Sequence, residues 1–214
     1  MINITIPSNL FSAVALFRGV KDIRYYLNGV YLETGPLGAR LVVTDGHTLC
    51  VGRINGWFPV ASVIIPDSLV KLVKSGGRNP ATVDITFDET REGDALRMVT
   101  LTTYGDKMVS VELEGCFPDW RRVVPSTPAS GECGQFAHEY LVRCDKAAAL
   151  MGQGKFGAAI AHNGSSSAHC VISDDVFAVI MPYRKVPELS PPDWLSDTLA
   201  PRDTDSEHQS EVPA

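Results

Sequence analysis

Residues 44–48 read T-D-G-H-T and set a carboxylate, Asp45, and an imidazole, His47, on either side of one glycine. An acid beside a histidine can orient the ring as a general base, and both can ligate a metal. Either chemistry needs a nucleophile or further ligands within reach. The chain holds serines and other histidines, but neither a G-x-S-x-G elbow nor an H-E-x-x-H helix. Gly46 can take the positive φ of a tight turn, so the same residues also read as a hairpin corner in which Asp45 accepts from nearby amides. A small hydrolase using Asp45 and His47 is one alternative; the corner is the simpler one.

Gly152, Gly154 and Gly157 spell G-x-G-x-x-G in "GQGKFG". A dinucleotide loop needs a strand before it and a helix after it, so that the pyrophosphate meets helix amides. Here a helical pattern precedes and a strand-like stretch follows, which makes the run a helix stop and turn.

Basic residues cluster where three helices end. Arg18, Lys21 and Arg24 follow the first, Lys71, Lys74 and Arg78 the second, and Arg143, Lys146 and Lys155 lie on or after the third. Cations near a helix C-terminus suit the helix dipole. Side by side, three such clusters would also form a strip for backbone phosphates that reads no base.

The 214 residues and 44% apolar content suffice for one generous domain or two small ones. No apolar run reaches bilayer length, and "MINITIP" alternates like a strand rather than a signal peptide, so no membrane partner and a cytoplasmic protein are expected. The net charge of −6 is concentrated in residues 187–214, which hold seven acids against Arg202 alone, so the preceding body is close to neutral. Cysteines 50, 116, 133, 144 and 170 form no C-x-x-C pair; no disulfide framework, metal or cofactor is expected.

These groups must be positioned by elements that recur. "INITIP" is a strand and "SNLFSAVALFRGV" a helix capped by Ser8 or Asn9; "RYYLNGVYLET" and "ARLVVTDGHTLCVGRI" are strands turning near Asn28-Gly29 and at Asp45-Gly46. The order then repeats: "SVIIP" as strand, "DSLVKLVKSGG" as a helix capped by Asp67 and stopped by Gly76, then three alternating strands. A third round runs from a strand entering a helix in "GQFAHEYLVRCDKAAALMGQG" through "FGAAIAHNG", "SSAHCVIS" and "VFAVIMPYR", giving an internal repeat of about 60 residues. "CFPDWRRVVP" is read as a linker between domains that can also wall a groove, and the Pro, Ser and acid-rich end from Val186 as a disordered tail.

Residues 22–33 (DIRYYLNGVYLE), 42–53 (VVTDGHTLCVGR) and 117–125 (FPDWRRVVP) resemble, in order and spacing, the middle domain of the bacterial DNA polymerase III beta subunit, the beta sliding clamp family. "FAVIMPYRK" resembles that family's C-terminal strand and tail, and the likeness covers about residues 1–185. It implies an α+β DNA clamp fold: repeated strand-helix-strand half units, with helices on one face and antiparallel sheets on the other. Residues 1–125 would be a complete clamp domain, 126–185 a half domain, and 186–214 the acidic tail.

The resemblance further implies a sliding-clamp-like processivity factor, not an enzyme, with sequence-independent double-stranded DNA as one partner. Its other partners would be clamp-binding-motif peptides of DNA polymerase, clamp loader and repair proteins. Carried over by motif, the peptide pocket would use Leu27, Thr44, Gly46, His47, Thr48 and Leu49 around the corner. Pro118 and Val123 would come from the connector, and Val179, Ile180, Met181, Pro182, Tyr183 and Arg184 from the end. Thr48 stands where the family usually has Arg, and Tyr183 where Met is common, so partner preference can differ. Arg24, Tyr25 and Tyr26 match positions near DNA; with Arg18, Lys21, Lys71, Lys74, Arg78, Arg143 and Lys146 they form the expected DNA-binding set.

Three half units, against the family's six per chain, preclude the usual dimeric ring and leave an edge and an apolar face to cover. Either residues 130–185 fold back on the first domain, or they pair with the same segment of another chain. Restoring twelve half units would take a homo-oligomer of about four chains. A different class of function is a non-ring adaptor or decoy that binds clamp-interaction peptides and modulates host replication. "PPDWLSDTL", with Trp194, Leu195 and Leu199, could fill the pocket in cis or recruit a partner.

Overall fold

The computed structural model describes residues 1–74, 81–89, 95–124, 134–154, 157–162 and 166–184. Arg78, Lys155, Gly76, Pro125, Cys133 and the tail with Trp194, Leu195 and Leu199 lie outside them. The chain divides into two units, Met1–Tyr183 and Arg184–Ala214, and every described strand and helix belongs to the first.

Strand β1 (Ile2–Pro7) alternates buried Ile2, Ile4 and Ile6 with exposed neighbours, as the I-x-I-x-I pattern requires of a strand with one wet face. Helix α1 (Ser8–Ala15) follows directly. The expected side-chain cap is absent: the cap position is Pro7, Ser8 Oγ is buried without a partner, and Asn9 Oδ1 accepts from Leu10 N, the adjacent amide. A single 3₁₀ turn, Tyr25–Asn28, replaces the start of the expected strand, because Asn28 ties back to the Asp22 backbone through both its Oδ1 and Nδ2. Strands β2 (Val30–Gly35), β3 (Gly38–Thr44), β4 (Thr48–Ile54) and β5 (Ala61–Ile65) follow.

The second half unit holds α2 (Asp67–Val70), β6 (Thr82–Phe87), β7 (Met98–Thr103) and β8 (Asp106–Val111). Asp67 does not cap α2; Pro66 occupies that position, and the Asp67 carboxylate pairs instead with Arg18 and Lys71. The third comprises α3 (His138–Leu150), β9 (Ala159–Ala161), β10 (Ala168–Ser173) and β11 (Val176–Ile180). The strand expected ahead of α3 is reduced to one bridge between Phe136 and Pro182. Gly152, Gly154 and Gly157 of "GQGKFG" follow α3 with φ of 75°, 62° and 62°, values that suit a helix stop, while Lys155 and Phe156 between them lie outside the described residues.

Among the described residues all strand pairing is antiparallel, in two sheets ordered β1-β6-β7-β8 and β5-β2-β3-β4-β11-β10-β9. Each half unit lends its first strand to the other's sheet: β1 pairs with β6, and β5 with β2. The exchange interlocks the first two half units. The third unit joins through β11, which zips onto β4 from Val176↔Gly52 to Ile180↔Thr48, so this segment folds back on the first two.

One core lies between the sheets and the helices, with Ile4, Phe11, Phe17, Leu41, Ile85 and Leu101 all at 1% exposure or less. Helix α1 approaches β4 closely because Gly52 has no side chain; a Cβ there would sit 2.7 Å from Val14 Cγ2. Helix α3 rests on a row of small residues, Cys50, Ala178 and Cys170, which are register neighbours across β4, β11 and β10, with Cys144 packed above them. Burial pushes the Cys50 thiol well above its ordinary pKa, which suits a packing residue and not a nucleophile.

The far edge of β5 is closed by buried polar groups. Leu113 N donates to Ile64 O, and the Arg97 guanidinium donates to Ser62 O while forked on Glu112 at 3.1 and 2.7 Å. That pair, at 8% and 1% side-chain exposure, continues the β7–β8 ladder one step past Met98↔Val111, and the Arg97 bond to Ser62 O links it to β5 of the other sheet.

Candidate functional site

Strand alternation sends the side chains of the seven-stranded sheet to two different places. Cys50, Ala178 and Ile180 point to the helix side, whereas Leu49, Val51 and Val179 point away from it into a second apolar cluster with Leu27, Val42, Ile64 and Phe117. That outer cluster is roofed by the 3₁₀ turn at 25–28 and by the connector after β8.

The connector is pinned by aromatic and charged contacts. Phe117 stacks on Tyr31 with centroids 4.7 Å apart and planes within 3°, Arg121 lies 4.3 Å over the Trp120 ring, and the same guanidinium pairs with Glu33 of β2. A second 3₁₀ turn, Trp120–Val123, therefore stands as a wall and not a loose linker.

The corner at 44–48 makes the opposite wall. Gly46 has φ +90°, and a Cβ there would meet the Arg24 guanidinium at 2.9 Å. Asp45 Oδ1 accepts from His47 N, Thr48 N and Thr48 Oγ1 at 3.0, 2.7 and 2.9 Å, and its Oδ2 accepts from Arg143 of α3 at 2.6 Å. Burial works against the charged carboxylate, but these donors outweigh it and hold Asp45 below its ordinary value of 3.8. Both oxygens are thus occupied. Met181 N donates to His47 O at 3.0 Å, which ties the end of β11 to the corner.

Between the walls lies a cavity of about 180 Å³, lined by Leu27, Thr44, Gly46, His47, Thr48 and Leu49, by Pro118 and Val123, and by Val179 and Met181. Arg24, Phe117, Asp119 and Trp120 line it as well. Of the residues carried over by motif, Ile180 does not reach it, since alternation turns it into the helix-side core. Pro182 is bridged to Phe136, Tyr183 is 56% exposed with its N–H on Gln135 O, and Arg184 opens the second unit. The four additional lining residues belong to the same motif stretches, so the motifs hold the signal even where residue-by-residue transfer misses it.

The cation set is less uniform than its spacing suggests. Arg24 is a cavity residue: its guanidinium holds Asp22 at 2.8 Å, lowering that carboxyl to about 2, and donates to Asp45 O. Arg143 is drawn to Asp45, and Arg18 and Lys71 share Asp67. Lys21, Lys74 and Lys146 are exposed and have no carboxylate partner among the described residues. Tyr25 is half exposed and meets Tyr26 edge to face at 6.0 Å. Among the described residues no cluster of acids, histidines and cysteines could hold a metal, and no helix is long and apolar enough to cross a membrane.

No protein-family model matches the chain. The beta sliding clamp of Salmonella typhimurium is 37% identical over 115 residues, 50% of this chain and 28% of that protein. The beta sliding clamp of Escherichia coli K12 is 36% identical over 126 residues, 56% of this chain and 31% of that protein. The DNA polymerase III beta subunit of Borrelia burgdorferi, solved in complex with a natural product, superposes with a TM-score of 0.68 at 13% identity, covering 87% of this chain and 64% of that one. The molecule has the DNA clamp fold. Over the half of its length aligned in sequence it is a homologue of the bacterial beta sliding clamps, and the chain spans less than a third of those two relatives in that alignment.

Proposed function

We propose that this protein is a replication processivity factor of the sliding-clamp kind, a cytoplasmic binding module rather than an enzyme. Its outer cavity takes a short apolar peptide from DNA polymerase, clamp loader or repair proteins. The observation that carries the reading is the meeting of Leu27, Leu49, Pro118, Val123, Val179 and Met181 in one concave apolar site, on the sheet face turned away from the helices. A groove of that lining suits two or three apolar side chains, with His47, Arg24 and Asp119 left to bond peptide backbone or polar neighbours. Saturation of both Asp45 oxygens argues against its use as a general base.

In this reading residues 1–125 act as a complete clamp domain, 126–185 as a half domain and 186–214 as an acidic tail, and about four chains close a ring around double-stranded DNA. Light scattering with and without duplex DNA tests the ring: a strict monomer at micromolar concentration in both samples rules it out. Binding of a fluorescein-labelled leucine- and phenylalanine-containing peptide, read by anisotropy and lost in Leu49→Ala, tests the cavity.

The adaptor reading, which keeps the cavity and discards the ring, is favoured by one observation. Arg18, Arg24, Lys71 and Arg143 spend their charge on Asp67, Asp22 and Asp45, which thins the field available to phosphates. Peptide binding without salt-sensitive DNA affinity would select it.

A further inference from the structure

The corner that forms one wall of the cavity is held from outside at its backbone by Arg24 and the Met181 amide, and at a side chain by helix α3. Within the hairpin, Thr44 Oγ1 donates to Thr48 O at 2.6 Å and accepts from Gly46 N at 3.0 Å, and Asp45 Oδ1 accepts its three local donors. These bonds shape the turn but do not set its position against the rest of the molecule. Asp45 Oδ2 points the other way, to Arg143 Nη1 on α3, in a pair whose side chains are 28% exposed for Arg143 and 16% for Asp45. The Arg143 guanidinium lies 5.4 Å over the Tyr140 ring, and that ring runs within 14° of parallel to His47, centroids 6.4 Å apart. Arg143, Tyr140 and His47 thus form one layered stack, closed on itself by Asp45.

We infer that Arg143 is a positioning residue for the peptide cavity: through Asp45 and the Tyr140 ring it sets where His47 and Thr48 stand, so the groove is completed only when α3 of the third half unit is docked. The inference rests on the peptide-groove reading and extends it to a helix that does not line the cavity. Sequence spacing groups Arg143 with phosphate-facing cations, but its geometry assigns it to the opposite task. The pair is partly buried, so breaking it costs more than breaking a surface ion pair while leaving the local turn bonds intact.

The test measures anisotropy of the labelled leucine- and phenylalanine-containing peptide on the full chain. Arg143→Ala is expected to weaken binding roughly three- to tenfold, and Arg143→Lys to recover part of the loss. Asp45→Asn keeps an oxygen for the His47 and Thr48 amides but presents an N–H donor to Arg143. It is expected to weaken binding comparably, and adding Arg143→Ala to it should cause no further loss. The His47 ring proton resonances should move in Arg143→Ala, because the Tyr140 ring above them is released. Wild-type affinity in Arg143→Ala, with binding lost in Leu49→Ala, overturns the inference and leaves the cavity reading standing. Additive losses in the double variant, or unmoved His47 resonances, overturn it too. Wild-type affinity in Leu49→Ala instead sinks the cavity reading itself.

Discussion

Leu49 of β4 and Val179 of β11 are register partners in an antiparallel pair, and both turn to the outer face, where they meet Leu27 and Phe117. The pair joins the first and third half units and supplies floor to the cavity, so under the proposed function one contact would serve stability and peptide binding together.

Leu49 is 3% exposed, and Leu49→Ala should therefore cost about 2–4 kcal/mol in urea unfolding as well as peptide affinity. Met181, part-exposed on the rim, separates the two effects. Met181→Ala is expected to lower affinity about tenfold while costing roughly 1 kcal/mol of stability. Equal stability losses in both variants would show that the floor and rim are not distinct.

The Arg97 and Glu112 pair offers a stability test remote from the cavity wall. Arg97→Ala takes the guanidinium away from a carboxylate at 1% exposure and removes a donor from Ser62 O, so a loss of about 3 kcal/mol is expected in chemical denaturation. Replacing both partners, with Arg97→Met and Glu112→Leu, should recover most of it, because no charge is then left buried. A double variant as weak as Arg97→Ala would mean that the loss comes from the Arg97 bond to Ser62 O across the sheets and not from the ion pair.

Much of this architecture is legible in the sequence, and the parts that are not have physical causes. Alternation in I-N-I-T-I-P and the T-D-G-H corner report strands and turn correctly, since a period of two and a positive-φ glycine are local properties. Local sequence misplaces the helix caps because Ser8 is buried by tertiary packing and Asp67 is drawn to Arg18. Motif position alone carries Ile180 into the pocket, although the parity that sends Val179 outward must send Ile180 inward. Spacing groups Arg143 with the helix-end cations and does not show its pair with Asp45, because it reports a side chain's own helix and not the acid it meets from a distant hairpin.

Acid should weaken the corner. Asp45 and Asp67 are both held below 3.8 in the folded chain; burial opposes this in each, and Arg143 with local donors, or Lys71 and Arg18, outweighs it. A depressed folded pKa means that the stabilisation is fully present above the unfolded value and is lost as pH falls through the folded one. Thermal melts taken from about pH 5 downward should lose midpoint below the ordinary carboxylate value, and Asp45→Asn should flatten that decline. An Asp45→Asn chain that declines as steeply as wild type would assign the acid sensitivity elsewhere.

The last expectation concerns DNA and turns on Asp67. Arg18 Nη2 and Lys71 Nζ both lie on this one carboxylate, at 2.9 and 2.5 Å, while Lys21, Lys74 and Lys146 have no such partner among the described residues. If those three lysines supply the phosphate contacts, the log-log slope of affinity against salt should be about −3. Asp67→Asn would then remove an acid from the helix-side surface and release two cations, strengthening duplex binding at low salt and steepening the slope by up to about two. Lys146→Ala should lower the slope by about one, irrespective of DNA sequence. A flat salt dependence in wild type and Asp67→Asn alike would remove the DNA contact and leave the peptide adaptor as the reading that survives.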